Sequence, residues 1–95
     1  MKTIFKYPLQ EVGIQQVDVQ YGAEILSIQE VNGDLFMWAK VDTEHDIDQI
    51  TIEIFGTGHD LREGHKGDGI QRKYLSTVVC LSGLVWHFYE HAEII

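Results

Sequence analysis

Residues 49–59 read QITIEIFGTGH, an alternating apolar and polar run that leads into a turn with two glycines. Ile50, Ile52 and Ile54 recur at every second position, which is the spacing of side chains on one face of a β-strand. The positions between them are mostly polar. The run therefore predicts a strand that buries one face and exposes the other, and we expect the rest of the fold to be built around it.

Gly56 and Gly58 flank Thr57 in the turn that follows this strand. Glycine adopts positive φ without steric cost, so we expect successive backbone N–H groups to converge here on a small concavity. Concavities of this kind bind anions, and the side chains of Thr57 and His59 add further donors. The turn therefore predicts a site for a phosphate-sized group. The alternative is a tight turn that only caps the strand, with His59 hydrogen-bonded to the backbone.

The charge of the chain is unevenly distributed. The formal net charge is −8, a value that repels duplex nucleic acid. Residues 56–73 nevertheless hold four basic and three acidic side chains, whereas the rest of the chain holds three basic and twelve acidic ones. The four basic side chains beside the glycine turn are Arg62, Lys66, Arg72 and Lys73. They are predicted to complete the anion site, although an exposed loop that collects charges of both signs would show the same pattern.

Length and composition indicate one folded unit. The chain has 95 residues, 44% of them hydrophobic, with one proline and no low-complexity run, so we expect residues 1–95 to form a single domain. No apolar run approaches about eighteen residues, and the first ten residues lack a long apolar core, which predicts a cytoplasmic protein without a membrane span or signal peptide. The single cysteine, Cys80, lies in an apolar run and is predicted to be buried and unreactive.

Six further runs predict strands: 3–7, 13–20, 23–31, 35–42, 74–81 and 84–90. The first is expected to stop at Pro8, and the second to be an edge strand. Asn32-Gly33 and Ser82-Gly83 are typical hairpin turns, because their residues tolerate positive φ. The fold class predicted from this spacing is all-β, a small antiparallel sandwich or barrel of six to seven strands.

Large aromatic side chains mark two of these strands. Trp38 is predicted to lie in the core, since a large ring in a strand packs against a sheet more often than it contacts a ligand. Residues 84–90 are apolar or aromatic on both faces, which is typical of a central strand or of a subunit interface. The short chain favours the interface, so we expect a homo-oligomer.

Residues 42–48 form an acidic run, DTEHDID, with four carboxylates in seven residues. Calcium loops need spaced oxygen ligands around a glycine turn, and this run contains no glycine. A solvated loop is the simplest interpretation. The alternative is a negative patch that docks on a basic partner protein.

Catalytic and metal sites have little support in the sequence. Thr57, His59 and Asp60 resemble a hydrolytic trio, but they do not lie at a turn between strand and helix as a nucleophile elbow does. Zinc needs three or four ligands, and His87 and His91 would lie about 13 Å apart on an extended strand. We therefore expect no enzymatic activity, no bound metal and no cofactor.

Several blocks of the sequence resemble a family of short phage and prophage proteins of unassigned function. The blocks are IFKYPL, GAEILSIQ, WAKVD, IEIFGTGH, YLSTV and WHFYE, and they extend from Ile4 to Glu90. The resemblance implies a phage origin and supplies no chemistry. Phages use many small proteins to block host defence, so the resemblance also implies a counter-defence role inside an infected bacterium.

These observations predict a phage protein that sequesters a phosphate-bearing nucleotide immune signal, of the cyclic-nucleotide or ADP-ribose type, without cleaving it. The predicted ligand contacts are Gly56, Thr57, Gly58, His59, Arg62, Lys66, Arg72, Lys73 and Tyr74. A ring such as Tyr74 or Phe55 would stack on the base, and subunits would complete one another's pockets. The alternatives are an acidic inhibitor that mimics nucleic acid and docks on a host defence protein, and an accessory or structural protein without a ligand.

Overall fold

A computed structural model describes residues 1–61 and 69–92 of the chain. These residues form seven β-strands and no helix: β1 Lys2–Leu9, β2 Ile14–Gln20, β3 Glu24–Val31, β4 Asp34–Asp42, β5 Ile47–Gly56, β6 Gln71–Val79 and β7 Val85–Ala92. The predicted all-β class is therefore confirmed.

The strands form two antiparallel sheets that pack as a small sandwich. The three-stranded sheet has the order β1-β4-β3, and the four-stranded sheet has the order β2-β5-β7-β6. The shortest dimension of the molecule is 16 Å, which fits two layers packed about 10 Å apart. Each sheet consequently has an inner face toward the core and an outer face toward solvent.

One hydrophobic cluster joins the inner faces. Its fully buried members are Val19, Ile28, Met37, Ile52 and Phe88, which come from five different strands. Burying one such side chain contributes about 1.5–3 kcal/mol, so pairing across the two sheets supplies most of the stabilisation. Cys80 belongs to the same cluster, which confirms that it is buried.

The two predicted hairpins are confirmed. Asn32 and Gly33 have φ of 52° and 87° in the turn between β3 and β4, as a two-residue turn with two positive φ values requires. The β6–β7 hairpin is closed by the N–H of Cys80, which donates to the carbonyl of Leu84 at 2.8 Å. Gly83, with φ of 91°, supplies the left-handed residue of that turn.

The sheets approach each other most closely where β3 meets β6. Both strands have an irregular register, between Ile25 and Ser27 in β3 and between Tyr74 and Ser76 in β6. Such bulges bend a strand and increase its twist. Ser76 then donates its hydroxyl hydrogen to the carbonyl of Ile28 at 3.2 Å, which ties the four-stranded sheet to the three-stranded one.

Two predictions about the first sheet are wrong. β1 does not stop at Pro8 but continues to Leu9, with Pro8 opposite Phe36. β1 lies at the edge of its sheet, where the missing N–H of a proline is tolerated. Trp38 does not lie in the core, because the buried positions of β4 are Leu35, Met37, Ala39 and Val41, and Trp38 points to the outer face.

Two predictions about the second sheet also need correction. β5 is not buried on one face alone, because Glu53 and Phe55 on its outer face are buried as well as Ile52 and Ile54 on its inner face. β7 is apolar on both faces because it lies between β5 and β6, so the pattern requires no subunit interface. β7 also extends to Ala92, so His91 belongs to the sheet.

Candidate binding site

The outer face of the four-stranded sheet collects the polar and aromatic residues that the core does not use. The strand registers place Tyr74 opposite Tyr89, Thr77 opposite His87, and Phe55 opposite His87. We call this surface the aromatic face and define it by Phe55, Tyr74, Thr77, His87 and Tyr89. Thr57, in the turn after β5, borders it on one side.

Three aromatic rings form a row across this face. The ring centroids of Phe55 and Tyr89 lie 5.8 Å apart, and those of Tyr89 and Tyr74 lie 5.6 Å apart, both in edge-to-face geometry. Such contacts add about 0.5–1.5 kcal/mol each beyond burial and fix the ring orientations. Phe55 is 5% exposed and Tyr74 is 54% exposed, so the row begins in a buried ring and ends in one open to solvent.

A chain of hydrogen bonds runs through the same residues. Thr57 Oγ1 lies 2.8 Å from Nε2 of His87, and Thr77 Oγ1 lies 3.0 Å from Nδ1 of the same ring. The chain ends at the phenol of Tyr74, 2.6 Å from Thr77 Oγ1. Both ring nitrogens of His87 therefore contact hydroxyl groups.

The chemistry of imidazole gives this chain a direction. A neutral imidazole has one N–H donor and one acceptor nitrogen, so the two threonines must play opposite roles. If Nε2 of His87 carries the hydrogen, it donates to Thr57, and the Thr57 hydroxyl is left to donate to a ligand. Thr77 then donates to Nδ1 and accepts from Tyr74, so the Tyr74 oxygen is left to accept from a ligand. If Nδ1 carries the hydrogen instead, Thr57 is the acceptor toward a ligand and Tyr74 the donor. In either case the face offers one hydroxyl donor and one hydroxyl acceptor.

A buried ion network lies beside the ring row. Oε1 of Glu53 accepts hydrogen bonds from Nε of Arg72 at 3.0 Å and from Nε2 of His91 at 2.6 Å. The Arg72 side chain is 0% exposed, and its guanidinium lies 5.5 Å from the centre of the Phe55 ring. Burial alone raises the pKa of Glu53, but hydrogen bonds from His91 and Arg72 outweigh it and lower that pKa below the ordinary value. Arg72 is therefore neutralised within the protein.

The glycine turn is closed by its own histidine. The N–H of Gly56 donates to Nδ1 of His59 at 3.0 Å, and the N–H of His59 donates to the carbonyl of Gly56 at 3.1 Å. Gly58 has φ of 89°, whereas the expected positive φ at Gly56 is absent. Gly56 is needed for space instead, because a Cβ there would lie 2.9 Å from Cε1 of His59. Two of the four amides in this turn are thus used internally.

The structure brings some predicted ligand contacts together and separates others. Thr57, Arg72 and Tyr74 meet at the aromatic face. Lys73 lies opposite Glu90 and lines a cleft of about 620 Å³ with residues around Tyr21. That cleft lies at the C-terminal end of β2 and the N-terminal end of β5, whereas the glycine turn follows the C-terminal end of β5. Arg62 and Lys66 lie outside the described residues.

His59 lines two smaller cavities. One, of about 230 Å³, includes Glu11 and Trp86, and the indole N–H of Trp86 donates to Oε1 of Glu11 at 2.8 Å. The other, of about 460 Å³, includes Phe55 and Asp60 and reaches the edge of the aromatic face. Because Nδ1 of His59 accepts from Gly56, a neutral His59 carries its hydrogen on Nε2. The turn thus presents one imidazole donor beside Thr57.

The hydrolytic trio considered as an alternative, Thr57, His59 and Asp60, is not assembled through Thr57 and His59. Thr57 contacts His87 rather than His59, and His59 is folded onto the backbone of Gly56. Over residues 1–61 and 69–92, no group of three or more metal-ligating side chains is placed to hold a metal ion.

Sequence reasoning missed Glu53, His87, Tyr89 and His91 as members of this site. The period-two alternation of residues 87, 89 and 91 was a usable signal, since it places these side chains on one face. The pairing of that face with Glu53 and Arg72 depends on strand order, which no local pattern reveals.

The acidic run forms a tight exposed turn between β4 and β5. Asp42 accepts from the N–H of Glu44 at 3.1 Å, and Nδ1 of His45 lies 2.8 Å from the carbonyl of Tyr21. The Glu44 N–H, followed by the positive amino terminus, lowers the pKa of Asp42. Residues 43–49 are exposed, which agrees with the predicted solvated loop.

The fold and this surface define a small two-sheet β-sandwich with an aromatic and hydroxyl-rich outer face. No helix in the described part of the chain is long and apolar enough to cross a membrane. The chain belongs to the family described as a domain of unknown function (DUF7352), which matches residues 1–94. No curated protein and no solved structure matches the sequence.

Proposed function

We propose that this protein is a binding protein that captures a phosphate-bearing nucleotide on its aromatic face and holds it without cleavage. The observation that carries the proposal is the meeting of an exposed ring and a directional hydrogen-bond chain at Tyr74. A nucleotide has a planar base that can stack and polar groups that can hydrogen-bond, and this face has an exposed ring and hydroxyl groups.

Stacking on Tyr74 supplies the first part of the affinity. A base that stacks on an aromatic side chain gains about 1–3 kcal/mol. The Tyr89 ring holds Tyr74 at its edge, so little side-chain freedom is lost when a ligand binds. The two ends of the hydrogen-bond chain, Thr57 and Tyr74, lie on either side of His87, so each can hydrogen-bond a different part of the nucleotide.

The phosphate is proposed to lie toward the glycine turn. Among the described residues, no hydrogen bond occupies the amides of Thr57 and Gly58, and the turn has an N–H donor in the His59 ring. Arg62 and Lys66 remain proposed phosphate contacts on sequence grounds. Arg72 shapes the face through Glu53, and Lys73 is no longer part of the proposed site because it lies at the separate cleft.

The environment of His87 supports binding without cleavage. A histidine that activates a hydroxyl nucleophile is usually oriented by a carboxylate on its other nitrogen. In this protein the other nitrogen contacts the hydroxyl of Thr77. The Thr57–His87 pair is therefore suited to hydrogen-bonding a ligand rather than to attacking it.

The biological role proposed with this site is sequestration of a host nucleotide signal by a phage protein. It rests on the resemblance to short phage proteins and on an associational argument about phage counter-defence. The expected location is the cytoplasm of an infected bacterium.

The test is a thermal unfolding screen with cyclic mononucleotides, cyclic dinucleotides and ADP-ribose, each at about 100 µM. A ligand at about 100 times its dissociation constant stabilises the folded state by about 2.7 kcal/mol, which raises the Tm of a small domain by several degrees. Mass spectrometry of the recovered nucleotide would show it intact. No shift with any compound contradicts the proposal, and a cleaved product replaces binding by catalysis.

Two variants localise the site. Tyr74→Ala is expected to weaken binding by about 10- to 100-fold, and Tyr74→Phe by less, since it keeps the ring and removes the hydroxyl. Tyr21→Ala is the matched control, because Tyr21 is an exposed tyrosine, 67% accessible, in another part of the molecule. Equal losses in the Tyr74 and Tyr21 variants would place the ligand elsewhere.

The acidic turn supports the second candidate function, docking on a basic host protein. Glu44, Asp46 and Asp48 surround two exposed apolar side chains, Tyr21 and Ile47, the latter 61% accessible. Charged groups around an apolar centre are a common interface arrangement. Neutralising Glu44, Asp46 and Asp48 should abolish capture of a basic partner, whereas Asp42 must be kept because it braces the turn.

A further inference from the structure

The cleft beside Lys73 is a second place where polar side chains meet. Its volume of about 620 Å³ is within the range of sites for small molecules. Its walls come from the ends of all four strands of the larger sheet and from the turn between β2 and β3. The described residues that line it include none of the aromatic face and none of residues 56–59. The cleft is therefore separate from the proposed nucleotide site.

The cleft opens where β5 and β7 separate. Their pairing ends at Ile52 opposite Glu90, although β5 begins at Ile47 and β7 continues to Ala92. Over this stretch β5 stays paired with β2, and β7 stays paired with β6. The four-stranded sheet is thus split at this end into two strand pairs. The residues beyond the last β5–β7 pair on both strands line the cleft.

Lys73 and Glu90 carry opposite charges at this split, yet they form no ion pair. The register places them directly opposite each other, where Cβ atoms lie about 4.5–5.5 Å apart. Within residues 1–61 and 69–92, neither side chain makes a hydrogen bond or a salt bridge. Burial raises the pKa of Glu90, and the charge of Lys73 only partly opposes this effect. The Glu90 carboxylate is therefore partly desolvated without a partner that compensates it.

An apolar wall lies beside these two charges. Val19, Ala23 and Ile50 line the cleft and belong to the hydrophobic core or pack against it. The ring of Tyr21, which is 67% exposed, also lines the cleft. A ligand held by the two charges can therefore bury an apolar group against this wall.

We propose that the cleft binds a free α-amino acid with an apolar side chain, whose ammonium group contacts Glu90 and whose carboxylate contacts Lys73. This binding goes beyond the proposed capture of a nucleotide and uses a different part of the molecule. An α-amino acid carries its two charges on one carbon atom, so it can bridge two side chains on neighbouring strands. Hydrogen bonds between charged groups are stronger than those between neutral groups, and this ligand forms two of them.

The charges of the protein favour a zwitterion over other small ligands. The net charge of −8 repels a free anion. A cation would pair with Glu90 but would leave Lys73 beside another positive charge. A neutral sugar could hydrogen-bond to both groups but would compensate neither charge. A zwitterion is neutral as a whole and supplies the opposite charge to each side chain.

Calorimetric titration with three matched compounds tests the proposal. L-phenylalanine has both charges, 3-phenylpropionate lacks the ammonium group, and phenethylamine lacks the carboxylate. L-phenylalanine is expected to bind with a dissociation constant of about 0.1–1 mM, as suits a ligand of this size. Each analogue is expected to bind at least tenfold more weakly, because it leaves one charge of the cleft uncompensated.

Variants locate the binding site. Lys73→Met and Glu90→Gln should each weaken the binding of L-phenylalanine at least tenfold, whereas Lys73→Arg should retain it. Lys40→Met is the matched control, because Lys40 is an exposed lysine on the three-stranded sheet. Circular dichroism checks that each variant is folded. Glu90→Gln is expected to keep or raise the Tm, since it removes a partly desolvated charge.

Tyr74→Ala separates this inference from the proposed function. It should abolish the thermal shift by a nucleotide and leave the binding of L-phenylalanine unchanged. The inference is overturned by no binding of L-phenylalanine at about 5 mM, or by equal binding of either analogue. Unchanged affinity in Lys73→Met or Glu90→Gln, or an equal loss in Lys40→Met, would also overturn it.

Discussion

Glu53 shows how one buried charge is held on the outer face of a sheet. Glu53 is 4% exposed, and its carboxylate contacts the side chains of Arg72 and His91. We expect Glu53→Gln to lower the free energy of unfolding by about 3 kcal/mol, since removing one partner of a buried ion pair leaves the other charge uncompensated. Urea unfolding measures this loss. Glu44→Gln, at an exposed site, is the control and should change stability by less than about 0.5 kcal/mol.

The same carboxylate predicts a dependence on pH. Its pKa is lowered in the folded state, so the folded protein releases this proton more readily than the unfolded chain does. The stabilisation is therefore complete above the unfolded pKa of about 4.3, and it is lost as the pH falls through the folded pKa. The stability difference between wild type and Glu53→Gln should shrink below about pH 4. A difference that grows toward acid would contradict this assignment.

Cys80 is predicted to be inert in the folded protein. Burial, and then the nearby carboxylate of Glu30, raises its pKa to about 11. Since the thiolate is the reactive form, we expect negligible alkylation by iodoacetamide at about pH 8 in buffer and rapid alkylation in urea. Fast labelling without denaturant would show that the thiol is accessible and that the packing around Cys80 is different.

Substitution of Gly56 and of Gly58 is expected to destabilise the protein for different reasons. Alanine at Gly56 would meet the His59 ring, whereas alanine at Gly58 would have to adopt φ of 89°. We expect each alanine variant to lose about 1–3 kcal/mol of stability. In a His59→Ala background the loss at Gly56 should decrease, because the clash is removed, and the loss at Gly58 should persist. If thermal unfolding shows the same loss for the Gly56 variant with and without the His59 side chain, the contact with His59 is contradicted.

At the scale of elements, the hairpins were predictable because their signals are local. Asn32-Gly33 encodes positive φ in its own side chains, and the structure has it at both residues. Asn32→Ala should lower stability by about 1 kcal/mol, and Asn32→Gly should change it little, since alanine is strained at positive φ and glycine is not. Denaturant midpoints compare the two, and a larger loss for glycine would be inconsistent with this turn.

The strand order was not predictable from the elements. Residues 84–90 are apolar on both faces, and the pattern is the same whether the strand is central or at an interface. The structure places β7 between β5 and β6, so its outer aromatic rings pack on Phe55 and Tyr74. The hydrogen bond from Ser76 to Ile28, which joins β6 to β3, likewise has no signature in either strand alone.

At the scale of the whole molecule, the aromatic face lies on the outer side of the four-stranded sheet, and the three-stranded sheet lies on the other side of the core. The expected completion of ligand pockets between subunits stays a prediction. We expect Ile4→Glu, at an exposed position of the three-stranded sheet, to leave the thermal shift by a nucleotide unchanged, whereas Tyr74→Ala should remove it. Loss of the shift in a folded Ile4→Glu variant would mean that the ligand binds elsewhere.

The sequence by itself determined the all-β class, the two hairpins, the edge position of β2 and the burial of Cys80. These follow from period-two alternation and from turn residues, both of which act over a few neighbouring positions. Only the tertiary structure decided that Trp38 points outward, that Glu53 is buried, and that His87 rather than His59 contacts Thr57. Each of these depends on which strands pair and which side of each sheet is covered, and pairing joins residues far apart in the chain.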